Sequence, residues 1–257
     1  MKSGPHLVNP NRAIAAATLL VEARRGRQPS PEHVAEAEPR SLSEAFAVQE
    51  HVARSLDVGV AGWKAAVTPD GVLFAPIYAS LAYASPARIA CSFGLPLVAE
   101  VEIAFRLCQD LSAESLDEGH IRRAFGEVLI GIELAQSRLP DHASRRLPWF
   151  LADNLGNAGY IVGATLIDDF SIQNPDLHVT VDGMTVWEAP SKRPLSDLFD
   201  ILARLTRAID GHLGGLRRGQ FVTTGHLCGT PFAITQPAAI RAETRSGTVE
   251  VAITHCN

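Results

Sequence analysis

At 257 residues the chain is long enough to bury a full core, and its length alone does not force two domains. A hydrophobic fraction of 46% and a charged fraction of 20% are ordinary for a soluble globular protein. A net charge of −5, the lack of a basic run and an aromatic content of 6% argue against a nucleic-acid partner, and no stretch reaches the roughly 18 apolar residues of a membrane span.

Residues 1–57 are expected to form a helical arm or lid, and residues 58–257 the main domain. Asn9 or Asn11 can cap a first helix whose Ala and Leu residues fall at helical spacing through residues 13–21; the following Glu22, Arg24 and Arg25 argue for a packed helix over a signal peptide. After a loop at 26–31 and a turn or two at 31–36, Ser41 and Glu44 fit a capping box that opens a helix through Ala45, Val48, Val52 and Leu56. From residue 58 onward strands dominate. In 60–67, Lys64 sits beside Trp63 among small apolar residues, an unusual place for a lysine. Local sequence alone reads it as a snorkelling side chain at a strand edge.

The most informative run is 96–110. Strand alternation puts Val101, Ile103, Phe105 and Leu107 on one face, with Glu100, Glu102 and Ala104 on the other. The two carboxylates are then about 7 Å apart at Cα, and like charges so close repel unless a cation neutralises them or water screens them. The neighbours on that face, Val98 and Ala104, are not those of a solvated face. In 128–135 the pattern repeats, with Gly131, Glu133 and Ala135 on one face. Three carboxylates on two adjacent strands suit a hard divalent cation such as Mg2+ or Mn2+.

Residues 117–128 read as an amphipathic helix and 136–148 as a polar loop. Around Asp153, Asn154 and Asn157 the amides and glycines of 149–163 suit either close approach to a ligand or turn chemistry. Asp182 and Gly183 carry a hairpin signature within 179–187. Residues 194–209 have a helical apolar face, 220–226 a strand running into a turn, and 240–253 a closing hairpin. Cys91, Cys108, Cys228 and Cys256 show no Cys-x-x-Cys spacing and are read as reduced thiols of a cytoplasmic protein. The inventory is α+β, a mostly antiparallel or mixed sheet with helices packed outside.

Gly62-Trp63-Lys64, Pro69-Asp70, Glu100 and Glu102 with Phe105, Gly131 with Glu133, and Ala152-Asp153-Asn154, in this order, resemble the 2-keto-4-pentenoate hydratase family. That family includes 2-oxohept-3-ene-1,7-dioate hydratases and 4-oxalocrotonate decarboxylases, within the fumarylacetoacetate hydrolase fold. The resemblance spans residues 41–225 and implies a twisted mixed β-roll, a metal on Glu100, Glu102 and Glu133, and a catalytic Lys64. It places Asp70 to position the lysine or a water, and Asp153, Asn154, Thr224 and Gly225 to hold the far end of a 2-oxo or 2-hydroxydienoic acid. A homo-oligomer is implied too.

Residues 188–194 replace the family's glycine-rich stretch, and Gln136 stands where an acid often follows the third ligand, so substrate choice is less fixed than chemistry. The first expectation is a hydratase adding water to a 2-hydroxy-2,4-dienoate. The alternatives are a decarboxylase using Arg138, Arg145 or Arg146 for a distal carboxylate, a C–C hydrolase with His142 or His226 as base, and a diverged, non-catalytic partner subunit of a related hydratase or decarboxylase. Burial and a cation lower the pKa of Lys64 while the acids raise it, so the sequence leaves the sign open.

Overall fold

The computed structural model describes residues 8–256 apart from residues 70, 93, 116, 168–174, 193–195, 210 and 224; Asp70 and Thr224 therefore lie outside the described residues. Asn9 caps helix α1 (Pro10–Arg24), its side chain accepting from Arg12 N at 3.2 Å, and Pro10 fills the first turn, where a missing N–H costs nothing. Ser30 and Pro31 repeat the device for α2 (Pro31–Glu36). Helix α3 (Leu42–Leu56) opens at Ser41, whose Oγ accepts from Glu44 N at 3.1 Å. The Glu44 carboxylate does not return to Ser41. It accepts from the backbone N–H of Arg40 (2.7 Å) and of Asn9 (3.1 Å) and from Arg12 Nε (3.0 Å), tying the starts of α3 and α1 together.

The hydrogen bond from Arg12 is the main reason the Glu44 carboxyl falls from the usual 4.5 to about 2. A carboxyl with a depressed folded pKa contributes stability that is fully present above its unfolded pKa and disappears as pH falls through the folded one. Glu44→Gln is therefore expected to lower Tm at pH 7, with the gap from wild type closing between pH 4.5 and pH 2. Thermal melts across that range check this; a gap independent of pH would refute the ionic contribution.

After the arm come β1 (Val60–Thr68), β2 (Gly71–Tyr78), β3 (Ala82–Ala84), β4 (Ala87–Cys91) and β5 (Leu97–Leu107). Helix α4 (Glu118–Ala124) leads into β6 (Phe125–Ala135), followed by two short helices, α5 (Asp141–Ser144) and α6 (Leu147–Ala152), and by β7 (Asn157–Ile167). The hairpin of β8 (Asp176–Val181) and β9 (Met184–Pro190) turns at Asp182 and Gly183, with φ of 50° and 79°, the left-handed pair that such a turn needs. Helix α7 (Ser196–Ala208), β10 (Phe221–Thr223), β11 (Phe232–Ile234), β12 (Ala238–Glu243) and β13 (Thr248–His255) complete the chain.

The larger sheet runs β2-β1-β10-β5-β6-β7-β3, with β11 also pairing β5; β1·β10 and β3·β7 are parallel and the other pairs antiparallel. Ile77 of β2, Ala104 of β5, Leu129 of β6, Tyr160 of β7 and Phe221 of β10 form one buried cluster. In a flat sheet β2 and β7 would stand about 24 Å apart, at ~4.8 Å per strand, yet Cα atoms of the two strands come within 8 Å of each other, so the sheet curls. This is the twisted mixed β-roll that the family resemblance implied.

On its outer face Val101, Ile103, Ile130, Ile132 and Ile161 pack against Ile240, Val249 and Val251 of the second sheet (β4-β13-β12-β8-β9) and against Leu202 and Leu205 of α7. The arm shares a third cluster, in which Leu20, Val48 and Val52 meet Tyr78, Trp149 and Leu151.

Two expectations are corrected. The helix read over 117–128 ends at Ala124, because pairing of Leu107 with Phe125 and Arg106 with Glu127 draws the rest into β6; sheet pairing outweighs the amphipathic pattern. The loop read over 136–148 contains α5 and the start of α6, whose Trp149 and Leu151 are buried against the arm. No helix among the described residues is long and apolar enough to cross a membrane.

Candidate active site

Because β5 and β6 are antiparallel with Glu100 opposite Glu133 and Glu102 opposite Gly131, the three acids converge inside the curl. One carboxylate oxygen from each lies within 4.8 Å of the others. Glu102 and Glu133 are fully buried and Glu100 is half-buried.

Neighbouring strands hold these side chains. Strand β10 sets Thr223 beside Lys64 on one side and Ala104 on the other. Thr223 donates its hydroxyl proton to Glu102 Oε2 and accepts from Tyr160 OH at 3.4 Å. Asn157, the first residue of β7, donates to Glu133 Oε1 at 2.8 Å. Lys64 is on an interior strand, not at a sheet edge. Its Nζ lies 2.8 Å from Glu133 Oε2 and donates to Leu155 O at 3.2 Å.

That carbonyl is aimed by backbone bending. Asn154 and Leu155 both adopt left-handed φ, 54° and 51°, in the turn between α6 and β7. Such conformations are costly for non-glycine residues and persist where the surroundings over-determine them. Here buried Asp153 does so: it accepts from Arg138 N at 2.9 Å and pairs with the guanidiniums of Arg138 (3.1 Å) and Arg24 (3.4 Å).

Burial lowers the pKa of Lys64, but Glu133, Glu102 and Glu100 outweigh it and hold the ammonium above its ordinary value. Burial first, and then Glu133, pushes Glu102 well above the carboxylate range. Glu133 is raised by burial, with Lys64 opposing. Glu102 Oε1, although buried, has no hydrogen-bond partner among the described residues, an arrangement that ordinarily costs about 1–3 kcal/mol. Three convergent carboxylates, one with a buried and unpartnered oxygen, are the donor set of a hard divalent cation. The residues present fit such an ion.

Gly131 gives Tyr160 its place: a Cβ there would lie 2.2 Å from the Tyr160 hydroxyl oxygen. Gly131→Ala is expected to lose about 1–3 kcal/mol of stability through overpacking and to weaken metal binding through Tyr160, Thr223 and Glu102. Thermal melts and metal titration check this; an unchanged Tm would mean that the ring moves aside freely.

Other sequence candidates fall elsewhere. Arg138 is committed to Asp153 and the Asn157 carbonyl, Arg145 pairs with Asp141, and Arg146 pairs with Glu38. His142 is exposed on α5, and both ring nitrogens of His226 are engaged by backbone. Gly225 follows the β10 end with φ of 97°, in the left-handed region. A cavity of about 230 Å³ opens two residues along the face from Glu100, lined by Val98, Gln136, Phe150 and Gly156 among others. Gln136 donates to the carbonyls of Ser92 (2.8 Å) and Leu95 (3.0 Å), so it shapes the wall of this cavity.

No protein-family model and no curated protein matches the chain. Solved structures do. The 4-oxalocrotonate decarboxylase from Pseudomonas putida G7, complexed with magnesium and adipate, superposes with a TM-score of 0.81 at 15% identity, covering 96% of this chain and 99% of that one. The fumarylpyruvate hydrolase from Pseudomonas aeruginosa in complex with Mn2+ and pyruvate gives 0.56 at 12% identity, covering 76% and 89%. A 2-hydroxyhepta-2,4-diene-1,7-dioate isomerase from Mycobacterium marinum gives 0.54 at 16%, covering 77% of each chain. The chain has the fumarylacetoacetate hydrolase fold.

In this fumarylacetoacetate hydrolase fold, the site also includes residues to which the sequence alone gave no role. Thr223 bonds to Glu102, Tyr160 bonds to Thr223, and Arg24 comes from the arm; Asn157, read from the sequence as a ligand-approach or turn residue, bonds to Glu133. The one available signal was Gly131, a glycine two residues before Glu133 in an otherwise apolar strand, which marks a close approach by another group.

Proposed function

We propose that this chain is a divalent-metal-dependent lyase that adds water to a 2-hydroxy-2,4-dienoate, giving a 4-hydroxy-2-oxo acid. The observation that carries this reading is the Lys64 ammonium 2.8 Å from Glu133, beside the unpartnered oxygen of Glu102. Glu100, Glu102 and Glu133 would hold Mg2+ or Mn2+. When bound, the ion supplies Lewis-acid stabilisation of the negative charge that develops on the substrate's 2-oxygen.

The chain's own residues carry the protons. The substrate loses its 2-hydroxyl proton, gains one at C5, and takes up water as hydroxyl at C4 and a proton at C3. Lys64, held by Glu133 and the Leu155 carbonyl, is the group in reach to shuttle protons along that carbon chain. Asn157 and Thr223 fix the carboxylates so that they need not reorganise during the reaction.

The cavity beside Glu100 takes the far end of the substrate in this reading. Its described lining carries Asp141 and no lysine or arginine, and Arg138, Arg145 and Arg146 are each engaged elsewhere. This favours an uncharged tail. A second reading, decarboxylation of a 2-oxo diacid, is favoured by the nearly full-length likeness to 4-oxalocrotonate decarboxylase.

Calorimetric titration of oxalate, a mimic of the 2-oxo acid head, tests the site. Binding with Mg2+ that is lost on chelation is expected; no binding in either state, from folded protein, would favour a diverged, non-catalytic subunit. Turnover of 2-hydroxypenta-2,4-dienoate without CO2 release then separates the two reactions. CO2 release from an oxalocrotonate-type diacid would overturn the first reading in favour of the second.

A further inference from the structure

Strand β5 changes neighbours along one edge. It pairs with β10 through Ala104, Phe105 and Arg106, and with β11 through Leu97, Val98 and Ala99. Between these two contacts the backbone of Val101 is met by two loop residues instead of a strand. Its N–H donates to His226 Nδ1 at 3.0 Å, and its carbonyl accepts from Leu227 N at 2.9 Å.

The other ring nitrogen, Nε2, lies 3.1 Å from Thr230 O. An N–H facing Nδ1 and a carbonyl facing Nε2 allow one assignment, a neutral imidazole carrying its hydrogen on Nε2. Burial, which holds this imidazole below its ordinary value, favours the same state. The Phe232 ring packs against it edge-on, with centroids 5.2 Å apart.

Val101 is the residue between two of the three converging acids. The peptide planes on either side of it set the directions in which Glu100 and Glu102 leave the strand, so whatever anchors its N–H anchors both side chains.

We propose that His226 is a positioning residue of the carboxylate site: its imidazole takes the place of a strand carbonyl at Val101, locking the Glu100–Glu102 pair in register with Glu133. This assignment rests on the metal reading above. It also explains why a polar ring occupies a loop position where neither nitrogen is left to act as an acid or base.

The experiment compares wild type with His226→Phe, which keeps the ring and its packing on Phe232 but offers Val101 no acceptor, and with His226→Asn, whose Oδ1 can still accept. The probe is Mn2+ alone, titrated calorimetrically, with amide hydrogen exchange of Val101 measured in metal-free protein. His226→Phe is expected to bind Mn2+ about 10–100-fold more weakly, the usual loss for a group that orients metal ligands. Its Val101 amide should exchange faster, whereas Asn should stay within about threefold of wild type on the same scale.

Wild-type affinity in the Phe variant, or a Val101 amide still protected there, overturns the assignment. Equal losses in Phe and Asn overturn it as well, because they would indicate a packing role. Should the Phe chain fail to fold, the Asn variant decides by the same threshold. Failure of wild type itself to bind Mn2+ overturns the metal reading and this assignment with it; that result is read before any variant is made.

Discussion

Glu102→Gln is expected to abolish turnover and to weaken Mg2+ and Mn2+ binding by roughly 100-fold or more, at or above the range seen when groups that merely support metal ligands are lost. The fold should survive. Glutamine matches the volume of glutamate, and its carbonyl oxygen can accept from Thr223, as Glu102 Oε2 does. It removes a charge that burial and Glu133 already disfavour, so the metal-free variant should melt at or above the wild-type temperature. Calorimetry with each metal, together with melts in chelator, reads both effects. Normal turnover in this variant would sink the site assignment.

Lys64→Met is the second large effect. Methionine fills much the same space without the ammonium, and turnover is expected to fall by about 10²–10⁴-fold, the usual contribution of a positioned proton carrier. Oxalate binding in the presence of Mg2+ should persist, since the three carboxylates remain. Without metal the variant should be destabilised, because losing Lys64 leaves Glu133 buried with Asn157 as its remaining hydrogen-bond donor among the described residues. Breaking a buried pair from one side commonly costs about 3–5 kcal/mol. Saturating Mg2+ should restore much of that loss by neutralising the same carboxylate. Loss of oxalate binding along with turnover would instead make Lys64 a binding group.

Much of this site is written in strand alternation. Glu100 and Glu102 stand out because they interrupt an apolar face, and Glu133 repeats the interruption one strand later. Register between distant strands has no such local signature. Thr223 reaches Glu102 because β10 slots between β1 and β5, and Tyr160 reaches Thr223 because Gly131 leaves it room. Likewise, Lys64 looks like an edge residue in its own segment; only the insertion of β10 makes its strand an interior one. The short α6 was hidden for a related reason. Its six residues are too few to show a helical period, and burial against the arm is what fixes Trp149 and Leu151.

The placement of β10 between β1 and β5 also bears on how the protein is made. A nascent chain that has not yet emerged past Thr223 has both flanking strands available but nothing to join them. Each would present an unpaired edge, and Lys64 would have no fixed position relative to the acids. Such long-range closure is slow, and the waiting edges are open to association with other chains. Assembly of the candidate site is thus deferred until most of the polypeptide has been synthesised, and a truncation just before Phe221 is expected to leave an aggregation-prone fragment rather than a smaller folded protein.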